Sequence, residues 1–198
     1  MLKLVTAPAA EPLSVAETQD YLRIDPTNDQ TLIASLITAS RRALEEYTSR
    51  SLINTTWDYA VEARQLVGTS LRLPRAPLAS ITSATYYADD GTAATFSATS
   101  YYADTYSTPG RLVLLDGASW PSALRERVSL VVRFVAGYGS TASSVPEEIR
   151  MALLMLCGLM YEERLGSPAE VKYNSMVIGK RFPGQVTSLL EPYRIYSL

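Results

Sequence analysis

Histidine is absent from the chain, cysteine occurs once and lysine three times, as Lys3, Lys172 and Lys180. Without histidine there is no Ser-His-Asp or Cys-His nucleophile, no imidazole general base and no ordinary zinc, iron or copper ligand set. A single cysteine, Cys157, cannot form an internal disulfide. It sits in the apolar run from Met151 to Tyr161, where a small buried thiol packing the core is the plain expectation. No apolar run is long enough for a membrane span, and the opening MLKLVTAPAAEPLS lacks the apolar stretch of a secretory signal, so a reducing, aqueous compartment is expected. Net charge is also nearly missing. Eighteen basic against twenty acidic residues leave a formal net charge of −2, too little field to hold the chain on DNA or an anionic membrane.

What is present is enough apolar sequence for a core: 198 residues, 47% hydrophobic and 19% charged. Leu2 to Val5 reads as a strand-like tip, ended by Pro8 and Pro12. Ser14 followed by Glu17 is the spacing of a capping box, predicting a short helix to about Arg23 that stops before Asp25-Pro26. Between Asn28 and Ser49, Leu32, Ile33, Leu36, Ile37, Ala43, Leu44 and Tyr47 recur near a 3.6-residue period, with Arg41, Arg42, Glu45 and Glu46 on the opposite face. This is a long amphipathic helix.

From Leu52 to Gly139 the period becomes two and the composition turns to Thr, Val, Tyr and Ser. Seven short strands are expected, around Trp57–Val61, Leu71–Leu73, Ile81–Ala88, Ala94–Ser97, Tyr101–Asp104, Arg111–Leu115 and Arg127–Ala136. Asp90-Gly91 supplies a two-residue hairpin signal. Pro146 with Glu147 and Glu148 opens a strong helix to about Arg164, expected to pack on the 28–49 helix. A loop with a short strand at Met176-Val177-Ile178, a helix from Gln185 to Glu191 stopped by Pro192, and an aromatic tail complete the chain. The expectation is an α+β fold: helical parts at 1–51 and 140–198 forming one core, with a mostly antiparallel β lobe, 52–139, inserted between them.

Candidate chemistry is thin. Asp89, Asp90 and Asp104 lie near strand ends and have the oxygen ligands calcium wants, but their spacing is not that of an EF-hand and turn capping explains them. Glu147, Glu148, Glu162 and Glu163 flank the two ends of one helix, which suits dipole complementation and a solvated or intersubunit end more than a pair facing a glycosidic bond. Gly137-Tyr138-Gly139 has no phosphate-loop pattern. No catalytic, cofactor or metal residue is assigned, and the chain reads as a non-enzyme. The thirteen tyrosines suit either a sheet core with subunit contacts or a stacking face for sugars.

A series of segments in order carries a resemblance: Leu13-Ser14-Val15-Ala16-Glu17 with Tyr21-Leu22-Arg23-Ile24-Asp25, then Leu44-Glu45-Glu46-Tyr47-Thr48-Ser49-Arg50 and Thr56-Trp57. Leu73-Pro74-Arg75-Ala76-Pro77-Leu78 leads into Ile81-Thr82-Ser83-Ala84-Thr85-Tyr86, followed by Pro109-Gly110-Arg111-Leu112 and Ala118-Ser119-Trp120-Pro121. Phe134 to Gly139, Val145 to Arg150 and Leu189 to Arg194 close the series. Over nearly its whole length the chain resembles the head-to-tail connector family, also called adaptor or head completion proteins, of long-tailed phages and gene transfer agents. The resemblance implies a helical core with an inserted β lobe and a dodecameric ring beneath the portal of a capsid. It further implies partners: the portal protein, a stopper or tail-completion protein, further copies of the chain, and packaged DNA passing without sequence-specific contact. Cofactors and a membrane are not implied. The place would be the neck of a virion or phage-like particle, with the chain made in the host cytoplasm. Within that frame the apolar, Arg-bearing tail, with Pro192, Tyr193, Arg194, Ile195, Tyr196 and Leu198, is the expected portal contact. An aromatic-surface carbohydrate-binding β module is the alternative.

Overall fold

The computed structural model describes residues 1–163 and 182–196. The short strand expected at Met176-Val177-Ile178, the end of the long helix at Arg164 and the tail residue Leu198 lie outside these residues. The fold is α+β, and the chain divides into two compact units, residues 1–9 with 49–140 and residues 10–48 with 141–198. The first strand thus clusters with the sheet and not with the helices.

The first unit is built of antiparallel strands: β1 Leu2–Thr6, β2 Thr55–Val61, β3 Ser70–Arg72, β4 Leu78–Tyr87, β5 Ala93–Thr95, β6 Tyr101–Asp104, β7 Arg111–Leu114 and β8 Leu130–Ala136. Five make one sheet in the order β1-β2-β8-β4-β5 and three make a second in the order β3-β7-β6. The period-two pattern explains the core directly. Leu130, Val132, Phe134 and Ala136 are fully buried while the residues between them are not, because successive strand side chains point to opposite faces. The same core takes Leu71, Leu73, Phe96, Tyr101, Leu112 and Leu114 from the smaller sheet and its connections. Each large side chain so buried contributes about 1.5–3 kcal/mol. On the other face of the large sheet, Arg133 donates through Nε and Nη2 to the two carboxylate oxygens of the cross-strand Asp58, both at 2.8 Å, and Lys3 lies opposite Asp58 on β1.

Two glycines are required by close backbone approach. A Cβ on Gly110 would stand 2.3 Å from the Cβ of Leu78, and one on Gly137, whose φ is +148°, 2.5 Å from the backbone nitrogen of Asn54. The hairpin at Asp90-Gly91 differs from the two-residue turn expected. Ala88 and Thr92 close a three-residue loop, Asp89-Asp90-Gly91, with Gly91 at φ +86°. The third residue is accommodated because glycine takes the left-handed position at no steric cost.

Among the described residues the second unit holds four α-helices, α1 Val15–Leu22, α2 Gln30–Thr48, α3 Glu147–Glu163 and α4 Gly184–Leu190. Ser14 caps α1 by accepting from the Glu17 N–H at 3.1 Å, while the Glu17 carboxylate takes Arg150 Nη2 at 2.5 Å, so only half of the capping box forms locally. Helices α2 and α3 pack together, and Ile33, Ile37 and Leu44 on the first and Ile149, Leu153 and Leu156 on the second are buried. Cys157 is fully buried in this core and donates to Ser40 Oγ at 3.3 Å; burial pushes its thiol pKa up. One expectation fails on α2. Periodicity puts Arg41 and Glu45 on the face opposite the apolar stripe, yet they are 5% and 9% exposed. The segment entering α1 lays Glu11 across that face, and Arg41 answers with Nε to Glu11 Oε2 at 2.6 Å and Nη1 to Glu45 Oε2 at 2.9 Å.

Candidate assembly surface

Residues 192–196 of the tail expected to carry an intermolecular contact are held by partners in their own chain. Helix α4 begins after Pro183 and ends at Leu190, before Pro192, and a 3₁₀ turn, Glu191–Tyr193, follows with that proline inside it. The turn aims Tyr193 Oη at Glu148 Oε2, 3.0 Å away in the first turn of α3. The next residue, Arg194, holds its guanidinium 4.7 Å from the ring centre of Tyr47 on α2 and 4.7 Å from that of Tyr196. Planar, weakly hydrated guanidinium groups stack on aromatic faces in this way. Ile195 donates its N–H to the Thr48 carbonyl at 3.1 Å, using one of the unpaired carbonyls at the end of α2. Beneath this lies an edge-to-face pair, Tyr47 against the buried Phe182, ring centres 5.0 Å apart.

Five of the six expected contact residues are therefore placed together: Pro192, Arg194 and Tyr196 exposed, Tyr193 and Ile195 half-buried. Tyr196 is 59% exposed, and its hydroxyl donates to the Glu191 carboxylate, which raises its pKa. The result is a strip of aromatic and cationic side chains with an apolar underside, the composition of interface anchors. Sequence reasoning missed the intrachain partners Tyr47, Thr48 and Glu148, because they stand far from the tail in the chain and belong to helices read separately.

The carboxylates serve structure. Glu147 meets Arg150 Nη1 at 2.5 Å and Glu148 takes Tyr193, while Glu162 is exposed. Asp90 accepts the Thr92 N–H at 2.7 Å and Asp89 the Asp90 N–H at 2.9 Å. Asp104 accepts from the N–H groups of Tyr106 and Ser107, both at 3.1 Å, and from the Ser107 hydroxyl; these bonds, the hydroxyl's first, hold its carboxyl below the usual range. Among the described residues no three histidine, cysteine, aspartate or glutamate side chains gather as metal ligands would, and no helix is long and apolar enough to cross a membrane. The tyrosines of the lobe are largely committed: Tyr101 is buried, Tyr59 and Tyr86 pack on the core, and Tyr87 lies under the Arg125 guanidinium at 3.9 Å. Tyr102 and Tyr106 are the lobe's exposed rings, which is a narrow platform for a sugar.

Comparison with known proteins adds what the geometry lacks. The profile of the head completion protein family matches residues 11–196. Solved structures are similar along the whole chain. A chain in the neck of an empty gene transfer agent particle, computed with C6 symmetry, is 26% identical with a TM-score of 0.79 over 100% of this chain and 97% of that one. A chain in the neck of a native gene transfer agent particle, computed with C12 symmetry, is 26% identical with a TM-score of 0.75 and the same coverage. A chain in the virion of a native gene transfer agent particle shares the fold at 24% identity and a TM-score of 0.77, again over 100% and 97%. No curated protein matches.

Proposed function

Since the chain belongs to the head completion protein family, we propose that it is a structural adaptor of a virion neck, joining the capsid portal to the next connector or tail component. One observation carries this reading: chains in solved gene transfer agent necks align with this chain from end to end. The role is assembly and not turnover, in keeping with a sequence that has no histidine and acids already engaged in caps and ion pairs.

The adaptor acts as one subunit of a closed ring, twelve copies by the C12 symmetry under which one similar neck was computed. Its helical unit supplies the body of the ring, and the strip Pro192 to Tyr196, with Leu198 beyond it, makes the portal contact. A stopper or tail-completion protein takes the other side. Packaged DNA passes through the ring without sequence-specific contacts, and the near-zero net charge of −2 is compatible with passage, since a strongly cationic wall would hold phosphates. The test is negative-stain imaging of the purified full chain, alone and mixed with the portal protein encoded near it. An added ring on the portal supports the adaptor role. A bare portal beside a folded monomer removes it.

A further inference from the structure

The smaller sheet, β3-β7-β6, has two unlike faces. Leu71, Tyr101, Leu112 and Leu114 enter the core, so strand alternation turns Arg72, Tyr102, Arg111 and Val113 to the outer face. In register, Arg72, Arg111 and Asp104 form one row across the three strands, and Ser70, Val113 and Tyr102 form the next. Tyr102 is 50% exposed, and Leu115, two residues after Val113 and just past the end of β7, is 43% exposed. An exposed apolar row bordered by arginines has the makeup of a protein contact site.

The charged row is not balanced within the chain. Arg72 and Arg111 stand directly opposite each other, and like charges so placed destabilise a strand pair. Asp104 faces Arg111 from the other side, but its carboxylate already accepts from the Tyr106 and Ser107 N–H groups and from the Ser107 hydroxyl. Among the described residues neither arginine forms an ion pair, and Nε of Arg111 is buried without a hydrogen-bond acceptor. A chain of net charge −2 thus keeps two cations against one engaged acid on this face.

We propose that the outer face of β3-β7-β6 docks an acidic segment of another neck protein, with apolar side chains laid along Tyr102, Val113 and Leu115 and a carboxylate set between Arg72 and Arg111. This rests on the adaptor reading above. Charge complementarity selects the acid, since a carboxylate between two guanidiniums replaces their repulsion with charge-assisted hydrogen bonds. The apolar row selects a protein over a nucleic-acid backbone, because phosphates bring nothing that buries Val113 and Leu115. Tyr102 is the anchor, a large ring with few rotatable bonds to order on binding.

The test puts a photoreactive benzoylphenylalanine in place of Tyr102 in the full chain, within necks assembled from the portal protein and the next connector encoded near it. Irradiation is followed by mass spectrometry of the cross-linked peptides. The proposal expects a peptide of one of those two proteins that carries Asp or Glu beside large apolar residues. Changing that acid to Lys should weaken attachment about tenfold or more, and Arg72→Glu, at an exposed position, should recover part of the loss. Necks that assemble without a cross-link at this position overturn the docking and leave the adaptor reading standing. Cross-links only to DNA or to a second copy of the chain also overturn it. If the wild-type chain joins no neck, the adaptor reading itself fails and takes the docking with it. As a second readout, Tyr102→Ala should raise the concentration for half-maximal attachment about tenfold, with an unchanged circular dichroism spectrum. An unchanged attachment midpoint counts against the proposal.

Discussion

Arg194 stacks its guanidinium on Tyr47, 4.7 Å from the ring centre, and so fastens the segment after α4 to the end of the long helix α2. The contact is supported on both sides by backbone and side-chain bonds, Ile195 to Thr48 and Tyr193 to Glu148. The tail is thereby held as a defined strip of aromatic and cationic groups on the helical unit. Pro192, Arg194 and Tyr196 stay exposed while Tyr193 and the Ile195 N–H are engaged within the chain.

Removing residues 193–198 should abolish attachment to the portal and leave the fold in place. The lost contacts are few and near the surface, so the thermal midpoint should fall by no more than about 5 °C. Co-sedimentation with portal particles, alongside a melting curve, checks both halves. Attachment that survives the truncation places the portal contact elsewhere.

Arg41 is buried and joins the nearly buried Glu45 and the part-exposed Glu11 in an ion triad. Arg41→Ala takes a charged partner from the nearly buried Glu45 and from the part-exposed Glu11 and should cost about 2–3 kcal/mol. The exposed neighbour Arg42→Ala should cost less than about 0.5 kcal/mol. Urea denaturation of the two variants side by side would show the contrast, and equal midpoints would mean that the triad adds nothing.

Gly137→Ala should destabilise by about 2–4 kcal/mol, since its backbone is in the glycine region and the added methyl meets the Asn54 backbone. Gly184→Ala, at the start of α4 with nothing within 4 Å of the added carbon, should be neutral or stabilising by about 0.5 kcal/mol. Calorimetry of both variants measures the difference, and a tolerated Gly137→Ala would show that the strand start can shift.

Asp104 has its carboxyl lowered from 3.8 by the Ser107 hydroxyl and the loop amides. A depressed folded-state pKa contributes stability that is present above the unfolded value, about 3.9 for aspartate, and is lost as pH falls through the folded value. The amide resonances of Tyr106 and Ser107 should therefore titrate below pH 3.8, and Asp104→Asn should remove that titration. A midpoint at or above 3.8 would mean the loop is not held by the carboxylate.

Cys157, fully buried and with its thiol pKa raised, should resist a disulfide reagent at neutral pH until the helical unit opens. Its modification in native protein should run at least about 100-fold slower than that of a free thiol and accelerate with urea. Prompt labelling without urea would contradict the packing of α2 on α3.

Periodicity alone was sufficient to locate β2 to β8, α2 and α3, because apolar residues at spacings of two or of three and four must face a core, and that requirement is local. The composition likewise excluded histidine chemistry and an internal disulfide without reference to any fold. The partners across the chain were not legible. Glu11 meets Arg41 thirty residues away and the tail meets Tyr47 and Glu148, and such pairs depend on how separate helices cross. For the same reason the burial of Arg41 was not legible: one-dimensional spacing says which face of a helix a side chain occupies, and only tertiary packing decides what is laid against that face.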